Sequence, residues 1–219
     1  IVSYGAYVHT SLAIAERLLR DGYALAYVTR DSDDARYRGP FEQLSELWAV
    51  HWAKGDLGDP AQAGRMIIDC NLNLPLLYWA SETTGDRAFA DAADRHIEQA
   101  ARHIVRPDGS TFHTFFMDPV TGAPRMGKTH QGHSDSSCWA RGQAWGISGF
   151  PLVHRYKADP SLLALSARLA NYYLNRLPAD LICCWDLVFT GPPHERDSSA
   201  AAIAACGLLE LARGLPLTD

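Results

Sequence analysis

Hydrophobic and polar positions along the chain alternate between two kinds of helical segment. In residues 86–104, Phe89, Ala93, Ile97, Ala100 and Ile104 recur at spacings of four and three with charges between them, which predicts a helix with one buried stripe and one wet face. Asp86 after Gly85 is its N-cap, and Pro107 lies just past its end. Residues 160–177 repeat the design, with Asp159 as cap, Pro160 at the first helical position, and Leu162, Leu165, Leu169 and Tyr172 as the stripe. Residues 65–82, 137–156 and 198–212 differ: they are apolar or small nearly all the way round, which predicts helices buried on every side.

The order is therefore buried, amphipathic, buried, amphipathic, buried. Joins from a buried to an amphipathic segment are tight turns, Glu82 to Gly85 and Lys157 to Asp159. The returning joins, 105–136 and 178–197, are long and rich in His, Gly, Pro and aromatics. An inner ring of helices inside an outer ring, an all-α α/α barrel or toroid, satisfies this pattern and gathers the long loops on one face, where function concentrates. Towards the N-terminus, Leu12, Ile14, Ala15, Leu18 and Leu19 predict a helix ending near Gly22, residues 30–40 a charged loop, and residues 41–52 a short helix. No boundary divides residues 1–219, which read as one domain.

Composition narrows the function classes. The 219 residues are 47% hydrophobic, which suits a globular core and argues against disorder. Twenty Lys and Arg against 25 Asp and Glu leave a net charge of -5, the wrong sign for tracking a nucleic acid. No apolar run approaches the roughly 20 residues of a membrane span. Five cysteines, Cys70, Cys138, Cys183, Cys184 and Cys206, form no C-x-x-C pair; buried reduced thiols and a cytoplasmic location are the expectation.

Two regions carry candidate chemistry. Asp69 lies between Ile68 and Cys70 in an apolar segment, and Pro75 six residues on forces the helix to kink or restart. Burial raises a carboxyl pKa, which suits a general acid, yet Asp69 also fits as a helix cap or the partner of a buried Arg. The second region runs from His130 through Gln131, Gly132 and His133 into Trp139, Arg141 and Trp145. Arg is suited to gripping a carboxylate near a helix N-terminus, and indole faces are platforms for sugar rings; core tryptophans and a structural ion pair are the competing reading. His130 and His133 with Asp135 or Cys138 have weak metal spacing, so no metal is expected. His113 in the first long loop and Trp52 ahead of the Asp69 segment complete an aromatic site with one carboxylate and one cation. No P-loop, G-x-S-x-G or G-x-G-x-x-G stands in the chain.

The runs Ile67 to Asn71, Asn73 to Ser81, Asp108 to His113, Gly127 to Gly132, Trp139 to Trp145 and Arg196 to Ala200 resemble the unsaturated glucuronyl hydrolases, glycoside hydrolase family 88, most strongly over 48–211. The resemblance implies a six-fold α/α barrel and removal of the unsaturated uronic acid that polysaccharide lyases leave on glycosaminoglycan-type oligosaccharides. It implies Asp69 as acid/base, with Trp52, His113, Gln131, Trp139, Arg141 and Trp145 at the substrate, a small unsaturated oligosaccharide, and no metal or organic cofactor. Two alternatives stay open: the related unsaturated rhamnogalacturonyl hydrolases, and an inactive sugar-binding remnant. Residues 1–47 lack the family's His-Asp-x-Gly-Phe context for a second aspartate, and the chain starts at Ile1. A fragment lacking several barrel helices is therefore expected, incomplete at both ends, with apolar inner helices left uncovered and a tendency to associate.

Overall fold

The computed structural model describes residues 64–118 and 120–215; the expected helices and loop of residues 1–52, and Trp52 itself, lie outside them. The chain divides into two compact units, Met66–Phe115 with Met126–Asp219, and Ile1–Arg65 with Phe116–Arg125. In the second unit the described residues are strand ends and a turn. Asp118 Oδ1 accepts the backbone N–H groups of Val120 (3.0 Å) and Thr121 (2.8 Å), and Met117 N–H donates to the Gly64 carbonyl at 3.0 Å.

Five α-helices dominate the described residues: α1 (Leu74–Thr84), α2 (Arg87–Gln99), α3 (Ala140–Lys157), α4 (Pro160–Leu174) and α5 (Ser198–Gly214). Three short strands, β1 (Arg65–Ile67), β2 (Thr114–Met117) and β3 (Pro124–Lys128), form a sheet in that order. The predicted helix over 65–82 is thus corrected. Its first part is β1 followed by a 3₁₀ turn, Ile68–Leu72, and α1 begins only at Leu74 with Pro75 in its first turn. The burial of Met66 and Ile68 between half-buried neighbours is a period of two, which three residues of sequence cannot distinguish from a helix. The restart forced by Pro75 is where the sequence placed it.

Both caps are in place. Asp86 accepts Ala88 N–H at 2.9 Å and Asp159 accepts Ser161 N–H at 3.0 Å. After α2 the chain makes one π turn, Ala100–Ile104, which keeps Ala100 and Ile104 buried. In α4 the inward face is Leu162, Leu163, Ser166, Leu169, Ala170 and Tyr173; Leu165 and Tyr172 flank it half-buried.

Helix α3 is the axis of the unit, buried along most of its length. Its small residues set how closely neighbours approach. A Cβ on Gly146 would meet the Leu169 side chain of α4 at 2.6 Å, one on Gly149 would meet Asn71 Cβ at 2.6 Å, and Gly207 of α5 lies against Ser148. Pro151 inside α3 removes the N–H that would bond the Ile147 carbonyl. Ser166 Oγ of α4 donates to that carbonyl at 2.8 Å, so the proline's deficit becomes a tie between helices. Ser148 Oγ makes the matching tie to the Ile203 carbonyl of α5 at 2.9 Å. Tyr78 of α1 stacks on Tyr156 of α3 at 5.2 Å and donates to Asp94 of α2 at 2.7 Å.

The expectation that 198–212 is buried all round is also corrected. Helix α5 buries Ala200, Ile203, Ala204, Gly207 and Leu211, while Ala202, Ala205, Cys206 and Leu209 are exposed. Its apolar composition is uniform, and only packing decides which stripe is covered. No disulfide joins the five cysteines; Cys138, Cys183 and Cys184 are buried, Cys70 is half-buried and Cys206 is exposed. No helix among the described residues is long and apolar enough to cross a membrane.

Candidate active site

Asp69 sits on the 3₁₀ turn between β1 and α1. The turn is fixed from outside: Ile68 N–H donates to the His113 carbonyl at 3.1 Å, and Ile68 itself is fully buried. Asp69 therefore lies at the edge of the core, with Oδ2 buried and without a hydrogen-bond partner among the described residues. Burial pushes its pKa up from 3.8 to about 6, opposed by its own backbone N–H, the charge of Arg141 and a hydrogen bond from Trp145. A carboxyl held there keeps a useful fraction of its proton near neutrality.

His113 stands beside it. The ring is buried, its Nε2 is 3.9 Å from Asp69 Oδ2, and its Nδ1 accepts the His130 N–H at 3.2 Å. An accepting Nδ1 in the neutral ring places the proton on Nε2, on the side of Asp69. The same ring lies 4.3 Å from Trp139. Trp139 is the N-cap residue of α3, and Arg141 and Trp145 follow within two turns. Arg141 Cζ is 5.5 Å from the Trp139 ring, and Arg141 Nη2 donates to Asp197 Oδ2 at 2.9 Å. The structure thus brings together Asp69, His113, Trp139, Arg141 and Trp145. Gln131 is exposed on the adjoining loop, with no side-chain partner among the described residues, and is not drawn into this group.

Three acids and bases that sequence reasoning passed over build the surroundings. Asp186 is fully buried and accepts from His133 N–H (2.8 Å), Ser137 Oγ (2.6 Å), Cys138 N–H (3.2 Å) and Val188 N–H (3.1 Å). It ties the 130–138 loop to the second long loop just ahead of Trp139. Arg106 grips the same loop from below, donating to the carbonyls of Ser137 and Asp135, both at 2.9 Å, and covering the Phe112 ring at 3.9 Å. Asp197 caps α5 through Oδ1 on Ala200 N–H at 2.8 Å while its other oxygen holds Arg141. Only Asp197 had a signal in sequence, as an Asp before a helical run. Gln143, two residues after Arg141, is structural: its amide donates to the Gly109 (2.8 Å) and Leu169 (2.9 Å) carbonyls.

Among the described residues no three His, Cys, Asp or Glu side chains converge as metal ligands. His133 packs on Phe189 at 5.0 Å, and His130 meets His113 edge-on at 5.7 Å. The chemistry this arrangement can do is proton transfer by one carboxyl of raised pKa, next to an imidazole N–H, indole faces and a guanidinium suited to an anionic ligand.

Comparison with known proteins identifies the family. Glycosyl Hydrolase Family 88 matches residues 22–214. The chain is 43% identical to an unsaturated chondroitin disaccharide hydrolase of Streptococcus pneumoniae over 97% of its own length and 53% of the relative's. It is 50% identical to the unsaturated glucuronyl hydrolase of Bacillus sp. GL1 over 76% of this chain and 45% of that one. The crystal structure of a Bacillus sp. GL1 unsaturated glucuronyl hydrolase, described as responsible for glycosaminoglycan degradation, superposes with TM-score 0.75 at 37% identity, covering 97% of this chain and 62% of that one. A mutant Streptococcus agalactiae enzyme in complex with dGlcA-GalNAc6S gives TM-score 0.65 at 35% identity, covering 97% and 56%. The chain spans about half the length of the curated relatives it matches, and it belongs to glycosyl hydrolase family 88.

Proposed function

We propose that this chain carries the acid/base part of an unsaturated glucuronyl hydrolase, folded as one domain that forms part of a six-fold α/α barrel. Its substrate class is a small oligosaccharide, lyase-generated from a glycosaminoglycan, that ends in a 4,5-unsaturated glucuronic acid. The observation that carries the reading is the Asp69 carboxyl, raised to about 6 by burial and set beside His113, Arg141 and Trp145.

The substrate's C4–C5 double bond is an enol ether. Asp69 delivers its proton to C4, and the ring oxygen stabilises the cation that develops at C5, as in other glycosidase transition states. Water then adds to C5 and the Asp69 carboxylate takes the proton it sheds, so one group serves as acid and then base. The C5 hemiketal opens to a ketone, and the hemiacetal left at C1 collapses to an aldehyde and frees the rest of the oligosaccharide. One water is consumed. Arg141 meets the uronate carboxylate, Trp139 and Trp145 offer faces to the sugar, and His113 orients its Nε2–H towards the reacting carboxyl. Gln131 and Trp52 are proposed at the same ligand.

Incubation of the chain with a chondroitin-lyase disaccharide tests this by mass spectrometry. Release of the saturated sugar, with one water taken up overall, supports the reading; an unchanged disaccharide at high protein concentration contradicts it.

A further inference from the structure

Arg141 is half-exposed at the site, and a free arginine there would sample many rotamers, each diluting its grip on a ligand. It is not free. Its Nη2 donates to Asp197 Oδ2 at 2.9 Å, and that carboxylate is only 5% exposed. Asp197 is itself immobilised on three sides: Oδ1 takes the Ala200 N–H at 2.8 Å, its backbone N–H donates to the Cys183 carbonyl at 2.9 Å, and its carbonyl accepts the Ala201 N–H at 3.1 Å. The first turn of α5 therefore fixes a carboxylate that fixes a guanidinium on α3. The Nε of Arg141 remains buried without a hydrogen-bond partner among the described residues, a donor that costs free energy until an acceptor arrives.

We propose that Asp197 is a positioning residue of the site: one oxygen caps α5, the other holds the Arg141 guanidinium in a single pose from which it takes the acidic group of the ligand. This rests on the reading of Arg141 as the cation that meets the uronate. Capping alone needs only a short acceptor, and serine supplies one. The reach to Arg141 needs the longer, charged carboxylate, so Asp197→Ser keeps the cap and cuts the tether. Asp197→Ala loses both.

The test uses the 219-residue chain with Asp69→Asn, expected to bind without turning over, and calorimetry with a lyase-generated unsaturated chondroitin disaccharide and its uronate methyl ester. Asp197→Ser is expected to weaken binding of the acid about tenfold, the scale of one charge-assisted contact, and to leave the ester unchanged. With Arg141→Gln already present, Asp197→Ser should add no further loss. Equal losses for acid and ester, or losses that add, overturn the proposal. A thermal melt of Asp197→Ser near that of the parent, with Asp197→Ala lower, checks that the cap survived. If the parent binds neither sugar, the functional reading fails, and nitrogen NMR of the Arg141 guanidinium decides the tether by itself. Slow rotation that becomes fast in Asp197→Ser upholds it; rotation already fast in the parent overturns it.

Discussion

His113 Nε2 lies 3.9 Å from Asp69 Oδ2 while its Nδ1 is occupied by the backbone N–H of His130. The backbone thereby dictates which imidazole nitrogen carries the proton facing the acid. The ring also fills the space between Asp69 and Trp139, so it helps keep the carboxyl dry. His113→Ala should admit water and lower the Asp69 pKa towards its ordinary value. Protonated Asp69 then becomes scarcer at pH 7, and the rate there should fall about ten- to a hundredfold. A pH–rate profile checks this: its alkaline limb should move to lower pH.

The same burial makes Asp69 a stability liability once ionised. Its folded pKa of about 6 lies above 3.8, so the fold binds this proton more tightly than the unfolded chain does. The favourable contribution is complete below pH 3.8 and is lost as the pH rises through 6. The cost of the ionised form is on the order of 3 kcal/mol, less whatever partial exposure screens. Asp69→Asn should therefore raise the melting temperature at pH 7.5 and leave it nearly unchanged at pH 3.5, as followed by circular dichroism.

His96 on α2 works in the opposite direction. Burial lowers its pKa to about 4, and its Nε2 has no hydrogen-bond partner among the described residues. A depressed histidine costs stability as the pH falls from 6.5 towards 4, because the unfolded chain takes up the proton first. His96→Leu should remove that loss, so urea midpoints of the variant and parent should diverge between pH 6.5 and 4.5.

Close packing of α3 on α5 depends on one missing methyl group. A Cβ on Gly207 would lie 2.6 Å from Ser148 Oγ, 2.8 Å from its backbone N and 2.9 Å from its Cα. Backbone atoms cannot swing aside, so the helices must separate. Gly207→Ala should cost about 1–3 kcal/mol, whereas Gly191→Ala, where a Cβ would meet nothing within 4 Å, should be neutral. Denaturant titration of both variants gives the comparison.

Periodicity made the amphipathic helices legible because their caps and stripes are local: Asp86, Asp159 and the Leu162–Leu169 spacing act over a few residues. The 3₁₀ turn under Asp69 was not legible, since a strand, a turn and a helix start share one apolar run, and the hydrogen bond that fixes the turn is donated by Ile68 N–H to the carbonyl of His113, more than forty residues away in sequence. The exposed stripe of α5 was hidden for a related reason: uniform apolar composition carries no face. Five of the candidate site residues were legible because a resemblance and a chemical pattern pointed to the same motif, and the fold sets them side by side. Asp186 and Arg106 escaped notice because their work is to accept from or donate to backbone groups of another loop, and no spacing in the sequence encodes that.

The central claim is that Asp69 is the acid that protonates an unsaturated uronic acid. The decisive measurement is the loss of ultraviolet absorbance of a lyase-generated unsaturated chondroitin disaccharide, followed with the chain and with Asp69→Asn at matched helical content. The account predicts decay with the parent and a rate at least about a hundredfold lower with Asp69→Asn. Equal decay with both proteins would contradict it.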